Sequence, residues 1–191
     1  EDLAPNQVAI AGYFCDNLDK TFAGQRYLAR QLRYVSRSKA VPLNATDLGD
    51  LNVFPLEIEK HFSSVISQCE AVLELGAYLV LVGGDSSGLK ALGAAVQNVI
   101  NPDVPIVSLS NDNKLNLSKT QKIILSVDLK ELAGKWLSKP RRLNGLSPSQ
   151  IISQINNIPN KIIAVAIFGL APELDSRGST ETQVALNILE A

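Results

Sequence analysis

The sequence predicts a three-layer α/β domain built on a mainly parallel sheet, and three observations carry that expectation. Two apolar runs, 78–82 (YLVLV) and 161–170 (KIIAVAIFGL), have no internal period, as befits strands buried on both faces. Segments with apolar residues at helical spacing lie between the strand-like runs along the whole chain. The turn after the first run, Gly83-Gly84-Asp85-Ser86-Ser87, breaks a strand with glycine and then offers residue types that cap helices. Strands that alternate with helices in this way pack helices on both faces of a parallel sheet.

Taken in order, residues 7–12 (QVAIAG) read as a first short strand ending on glycine, and 16–25 as a polar loop. Residues 27–37 place Leu28, Leu32 and Val35 on one helical face, with arginines on the other. A brief extended piece is expected at 40–43, and a turn at Asp47-Leu48-Gly49-Asp50. Pro55 is expected to open a helix, where its missing N–H is harmless. Ile58, Phe62, Val65, Ile66, Cys69, Val72 and Leu73 form its apolar stripe, and Gly76 its C-cap. The central strand follows, then a helix carrying Leu89, Leu92 and Val96. Strands are expected at 104–109 and 123–127, the latter ending at Asp128. Ser147-Pro148 starts a helix with Ile151, Ile152 and Ile155; the second periodless strand and a helix over 179–190 complete the domain. No linker or repeat divides residues 1–191, which read as one domain.

Composition narrows the function classes. The chain has 191 residues, 46% of them hydrophobic, and a net charge of −1. A chain of this length buries roughly 70% of its unfolded surface and needs no disulfide or metal to fold. The basic field of a nucleic-acid binder is missing. No apolar run reaches the roughly 20 residues that span a bilayer. Cys15 and Cys69 have neither disulfide-framework nor metal-site spacing. The expected setting is soluble, in cytoplasm or an organellar matrix. The lack of any methionine, even at position 1, suggests a processed or trimmed chain.

The order of motifs resembles the arginase/agmatinase/formimidoylglutamase family, the metal-dependent ureohydrolases. Residues 11–32 are similar to the family's first strand, substrate-side loop and helix. Asp47-Leu48-Gly49-Asp50 is similar to its acidic D-x-G-D turn, and Gly76-Ala77 with LVLVGGDSS resembles its "GA…GGDHS" signature. Ser126-Val127-Asp128 is similar to the strand before its D-x-D pair. Gly145-Leu146-Ser147 resembles its "GGLT/S" helix start, and 172–180 its last crossing into a helix. The resemblance implies a shortened arginase-like fold, since only 14 residues separate Asn113 from Asp128. It also implies a two-metal, usually Mn²⁺, hydrolase that attacks a guanidinium-type carbon with a bridging hydroxide. Such a centre needs carboxylates and imidazoles, which suit Mn²⁺ and lower the pKa of bound water.

The ligand positions that the resemblance implies are mostly replaced. Ser86 stands where GGDHS has its histidine. Asn111-Asp112-Asn113 offers no D-x-H-x-D, so Asn111 and Asn113 also stand at lost ligand positions. Asp128 matches the first aspartate of D-x-D, while Lys130 takes the place of the second, and a family glutamate falls near Gly169. An ammonium there repels a nearby cation. The expectation is therefore no cofactor and no metal. Lys130 is instead expected to act as an internal cation to Asp128 or Asp112.

Other sites have a functional and a plain reading. Gly84-Asp85-Ser86-Ser87-Gly88 matches G-x-S-x-G in strand–turn–helix context, which would make Ser86 a nucleophile. The only histidine, His61, lies upstream on the edge of an apolar stripe. Ser86 and Ser87 read more simply as capping residues, and His61 as structural or exposed. Asp85 argues against anion binding at the helix start. The basic loop with Lys135, Lys139, Arg141 and Arg142 reads as solvated or as a surface for an acidic partner. Trp136 within it is a residue type enriched in binding hot spots.

The expected function is a non-catalytic ureohydrolase-like protein, a structural or binding component of a homo-oligomer or a larger protein assembly. The alternative is a hydrolase of C–N bonds in guanidino or formimino compounds, with a divergent site around Asp85, Asp112 and Asp128 that is metal-free or holds Mn²⁺. A third reading is a sensor that keeps a small-molecule pocket without turnover.

Overall fold

The computed structural model describes residues 3–16, 24–37, 44–109, 121–132, 145–172 and 180–191. They contain six strands: β1 (Val8–Gly12), β2 (Thr46–Asp50), β3 (Tyr78–Val82), β4 (Ile106–Ser108), β5 (Lys122–Asp128) and β6 (Lys161–Phe168). All pair in parallel, in the spatial order β2-β1-β3-β6-β5-β4. Five helices accompany them: α1 (Leu28–Ser36), α2 (Ile58–Glu74), α3 (Ser87–Val99), α4 (Pro148–Asn156) and α5 (Thr180–Leu189). The three-layer parallel architecture is the one that the sequence predicts.

Strand side chains alternate between two cores, because successive Cβ atoms point to opposite faces. Ala9, Ala11, Leu79, Leu81, Ala164 and Ala166 pack beneath α2 and α3. Ile10, Val80, Val82, Val165 and Ile167 face the layer of α1, α4 and α5. With both faces covered, the central strands read as continuous apolar runs. Each fully buried Val or Leu contributes about 1.5–3 kcal/mol, so the two cores together hold the layers in place.

Helix ends follow local chemistry. Gly76 adopts φ +74° and its N–H donates to the Leu73 carbonyl, closing α2 as a glycine C-cap does. At α4, Ser147 Oγ accepts the Gln150 N–H at 3.2 Å, and Gln150 Oε1 accepts the Ser147 N–H at 2.8 Å. This is a complete capping box with Pro148 in the first turn.

Several elements differ from the sequence expectation. Asp47-Leu48-Gly49-Asp50 is edge strand β2, not a turn. Its turn-like signals are satisfied within the strand: Gly49 takes φ +79°, and its N–H donates to Asp47 Oδ1 at 2.9 Å. Pro55 does not open α2, which begins at Ile58. It lies in a turn closed by the Glu57 N–H on the Phe54 carbonyl at 3.0 Å, a setting that suits proline's fixed φ. Ile58 is 63% exposed and leaves the stripe, whose first buried member is His61, four residues before Val65. β4 is shorter than expected, and β6 ends at Phe168. The extended piece expected at 40–43 lies outside the described residues.

The topology singles out one place. After β1 the chain crosses through α1 to β2, whereas after β3 it crosses through α3 to β4 at the other edge. α1 and α3 belong to opposite faces. Adjacent strands whose connections diverge in this way create a crevice at their carboxyl ends, where open α/β sheets seat their ligands.

Candidate functional site

At the β1/β3 switch point, four buried polar side chains form one hydrogen-bonded chain. Tyr13 follows β1, Asp85 follows β3, Ser87 starts α3 and His61 lies in the first turn of α2. His61 Nε2 lies 2.6 Å from Tyr13 Oη, and Tyr13 Oη lies 2.6 Å from Ser87 Oγ. Ser87 Oγ in turn donates to Asp85 Oδ1, which also accepts the Ser87 backbone N–H at 2.9 Å. All four residues are at most 5% exposed. The Tyr13 and His61 rings meet edge to face with centroids 5.6 Å apart.

The glycines of the turn serve this tyrosine. Gly84 sits at φ +66°, and a Cβ there would collide with the Tyr13 ring and the Cys15 carbonyl; a Cβ on Gly88 would come within 2.8 Å of the ring. The backbone locks the same region, since the Gly84 N–H donates to the Gln25 carbonyl and the Asp85 N–H to the Cys15 carbonyl, each at 3.0 Å. The G-x-S-x-G spacing is thus explained by an aromatic ring seated between two glycines. Ser86 is exposed and makes no capping hydrogen bond, so the capping expected of it falls to Asp85. His61 is engaged with Tyr13 and with the Phe54 N–H, at 3.3 Å on Nδ1, which does not place it as a base for Ser86.

Burial sets the protonation states. Desolvation pushes the Tyr13 phenol well above its ordinary range, despite the opposing effect of its hydrogen bond with Ser87. Desolvation also lowers the His61 imidazole, with the Asp85 charge acting in the opposite direction. The Cys69 thiol is pushed up to about 12 by burial and then by Glu70. Both the Tyr13 phenol and the Cys69 thiol are therefore held protonated at neutral pH and are not poised as nucleophiles.

The β5/β6 end is built differently. Asp128 closes β5, and its Oδ1 accepts the Lys130 N–H at 3.0 Å. Lys130 is buried in the short 3₁₀ turn Leu129–Glu131. Gly169 lies beneath both at φ +91°: a Cβ there would collide with Asp128 Oδ1 and come within 3.1 Å of Lys130 Cγ. Glycine at 169 is therefore what lets Asp128 and Lys130 sit where they do. Asn111, Asp112, Asn113, Trp136, Lys139, Arg141 and Arg142 lie outside the described residues.

Two further features flank these strand ends. Arg33 Nε donates to Asp47 Oδ2 at 2.7 Å and Arg33 Nη1 to Asp50 Oδ1 at 2.5 Å, tying α1 to β2. Gly12 makes this possible, because a Cβ there would collide with Asp50 Oδ1. A cavity of about 280 Å³ lies on the α1/α5 side of the sheet, lined by Ile10, Leu32, Val82 and Leu186 with Arg33 and Asp47. It is set against the sheet face and includes none of the four residues of the buried chain.

The fold matches that of solved structures. A hypothetical agmatinase from Burkholderia thailandensis superposes with a TM-score of 0.80 at 14% identity, over 100% of this chain and 85% of that one. Proclavaminate amidino hydrolase from Streptomyces clavuligerus gives 0.82 at 14% identity, over 98% and 91%. Formimidoylglutamase from Bacillus subtilis gives 0.80 at 14% identity, over 99% and 86%. The chain has the arginase-like ureohydrolase fold. No protein-family model and no curated protein matches the sequence.

The arginase-like fold raises the question of a two-metal centre. Among the described residues, no three His, Cys, Asp or Glu side chains gather in an arrangement that could hold a metal ion. Asp85 accepts two hydrogen bonds from Ser87, and Asp128 accepts one from the Lys130 backbone. Ser86 and Lys130, at the two motif positions described, bring a hydroxyl and a cation. The described residues alone do not make up the donor set of such a centre. Likewise, no described helix is long and apolar enough to cross a membrane.

Tyr13 is the residue that sequence reasoning missed. The available signal was the pair Gly84 and Gly88, one helical turn apart at a helix start, which leaves room for a large ring. Nothing local to Tyr13 says that it fills that room.

Proposed function

We propose that this chain is a non-catalytic ureohydrolase-like protein, serving as a structural or binding component of an oligomer or larger assembly. One observation carries the reading: the switch-point crevice, where this architecture seats ligands, is filled by Tyr13, and the polar groups around it are engaged with one another. Ser86 and Lys130, at positions where the family resemblance implies metal ligands, support it further. Asn111 and Asn113 support it through residue type alone. In this reading Lys130 acts as an internal cation beside Asp128, and the basic stretch with Trp136, Lys139, Arg141 and Arg142 contacts a protein partner.

Two measurements test the proposal. Hydrolysis of arginine, agmatine and formimidoylglutamate should stay at the uncatalysed rate, with or without added Mn²⁺. Light scattering of the purified chain, alone and with cell extract fractions, should show a species larger than a 20.6 kDa monomer. Turnover of any of the three compounds, abolished by Asp128→Asn, would establish the divergent hydrolase instead.

A further inference from the structure

His61 is the only histidine in the chain, and its two ring nitrogens are committed in opposite senses. A carboxylate can only accept, so the Ser87 hydroxyl must donate to Asp85. Ser87 Oγ then accepts the Tyr13 hydroxyl proton, and Tyr13 Oη accepts a proton from His61 Nε2. At the other end, the Phe54 backbone N–H points at His61 Nδ1. Both ends of the chain therefore demand the same state: a neutral imidazole with its proton on Nε2.

We propose that the His61–Tyr13–Ser87–Asp85 chain is an acid-released latch that holds the segment 54–57, leading into α2, against the carboxyl end of the sheet. Adding a proton to His61 places an N–H on Nδ1, facing the Phe54 N–H. Two donors then oppose each other, and the contact must open. The protonated ring would also carry a charge with little to balance it. Tyr13 and Ser87 face it as neutral groups, and the Phe62 ring lies 5.6 Å away by centroid. The Asp85 charge favours the extra proton, but burial of the ring outweighs it. Glu57 pairs with Lys60 at 3.3 Å, and that ammonium lies over the Phe54 ring at 4.1 Å.

The stretch just before this segment is anchored independently of the latch, since the Leu51 N–H donates to the Gly12 carbonyl at 2.8 Å and Leu51 and Val53 pack against the core. Asn52 is tied to Gln68 and Ser64 by exposed hydrogen bonds, while Leu56 is 97% exposed. Opening therefore needs no rearrangement of the sheet. Sign and window follow from linkage. The closed state holds His61 below its ordinary value, whereas the open state titrates near the model-peptide value of about 6.5. Stability of the closed latch is thus fully present above about pH 6.5 and falls as pH drops below it, by up to about tenfold in the opening equilibrium per pH unit.

The test is nuclear magnetic resonance of the full chain between pH 5 and 8. The single imidazole should appear as the neutral Nε2–H tautomer and titrate below its ordinary range. Exchange of the Phe54 amide, corrected for its intrinsic rate, should accelerate as pH falls below 6.5. In His61→Gln that pH dependence should vanish, with protection at Phe54 low throughout. An Nδ1–H tautomer at neutral pH, or Phe54 exchange indifferent to pH in the native protein, would overturn the latch. So would an unchanged acid response in His61→Gln. If that variant fails to fold, the tautomer and the Phe54 exchange of the native chain decide the matter.

Discussion

The carboxyl edge of the sheet has two halves that use polar residues in contrasting ways. At β1/β3, the side chains are turned inward: a hydroxyl, a phenol, an imidazole and a carboxylate satisfy one another in a dry setting around a seated aromatic ring. At β5/β6, the Lys130 backbone N–H donates to Asp128, and the side chains are accommodated by the missing Cβ of Gly169. A third set, Arg33 with Asp47 and Asp50, sits in solvent at the sheet edge. The contrast teaches that burial, more than the number of bonds, decides what each cluster is worth. An unsatisfied group in the first half has no water to turn to, whereas Arg33 does.

That ranking is open to measurement by chemical denaturation of single variants. Gly84→Ala should be the most damaging, since it puts a Cβ into the Tyr13 ring at a positive φ. A loss of more than about 3 kcal/mol is expected, and near-native stability would mean that Tyr13 does not sit there. Tyr13→Phe keeps the ring but leaves the His61 Nε2–H without its acceptor and Ser87 Oγ without the proton that Tyr13 donates to it. It should lose about 2–3 kcal/mol, and a loss close to zero would show that the buried chain contributes no net stability. Lys130→Met removes the proposed internal cation and should lose about 1–2 kcal/mol through the stranded carboxylate; unchanged stability would refute that role. Arg33→Ala should cost less than about 1 kcal/mol, because the pair is partly exposed and screened. Burial raises the Asp47 carboxyl, but the hydrogen bonds donated by Arg33 and the Gly49 N–H, with the Arg33 charge, together hold it below its usual range. Its small contribution is therefore present above about pH 4 and lost as pH falls through the lowered value, so an Arg33→Ala deficit that does not shrink as the solution is acidified would contradict the pairing.

Much of the fold was legible because its strands are buried on both faces. The strands at 78–82 and within 161–170 could be recognised from composition alone, and the start of α4 from Ser147 and Pro148. Where reading failed, two physical signals competed. Asp47 and Gly49 carry turn chemistry, but pairing with β1 and the grip of Arg33 on Asp47 and Asp50 keep the stretch in the sheet, with Gly49 at φ +79° where the register shifts. Pro55 is as suitable for a β-turn as for a helix start, and only the Glu57-to-Phe54 hydrogen bond decides between them. Ile58 matches the α2 stripe by spacing yet lies one turn ahead of the packed surface.

The site was legible only in part. The turn at 83–87 and the substitutions at Ser86 and Lys130 could be read directly from the sequence. The use made of Asp85 and Ser87 could not, because it depends on β1 lying beside β3 and so bringing in Tyr13, more than seventy residues away. His61 is buried, not exposed, because its place four residues before Val65 puts it on the buried face.

The most direct test of the central claim is metal stoichiometry, by elemental mass spectrometry of the purified chain before and after incubation with Mn²⁺. The account predicts close to zero ions per chain in both samples, with unchanged thermal stability. One or two tightly held ions per chain, lost in Asp128→Asn, would contradict it and return the protein to the metal-dependent hydrolases.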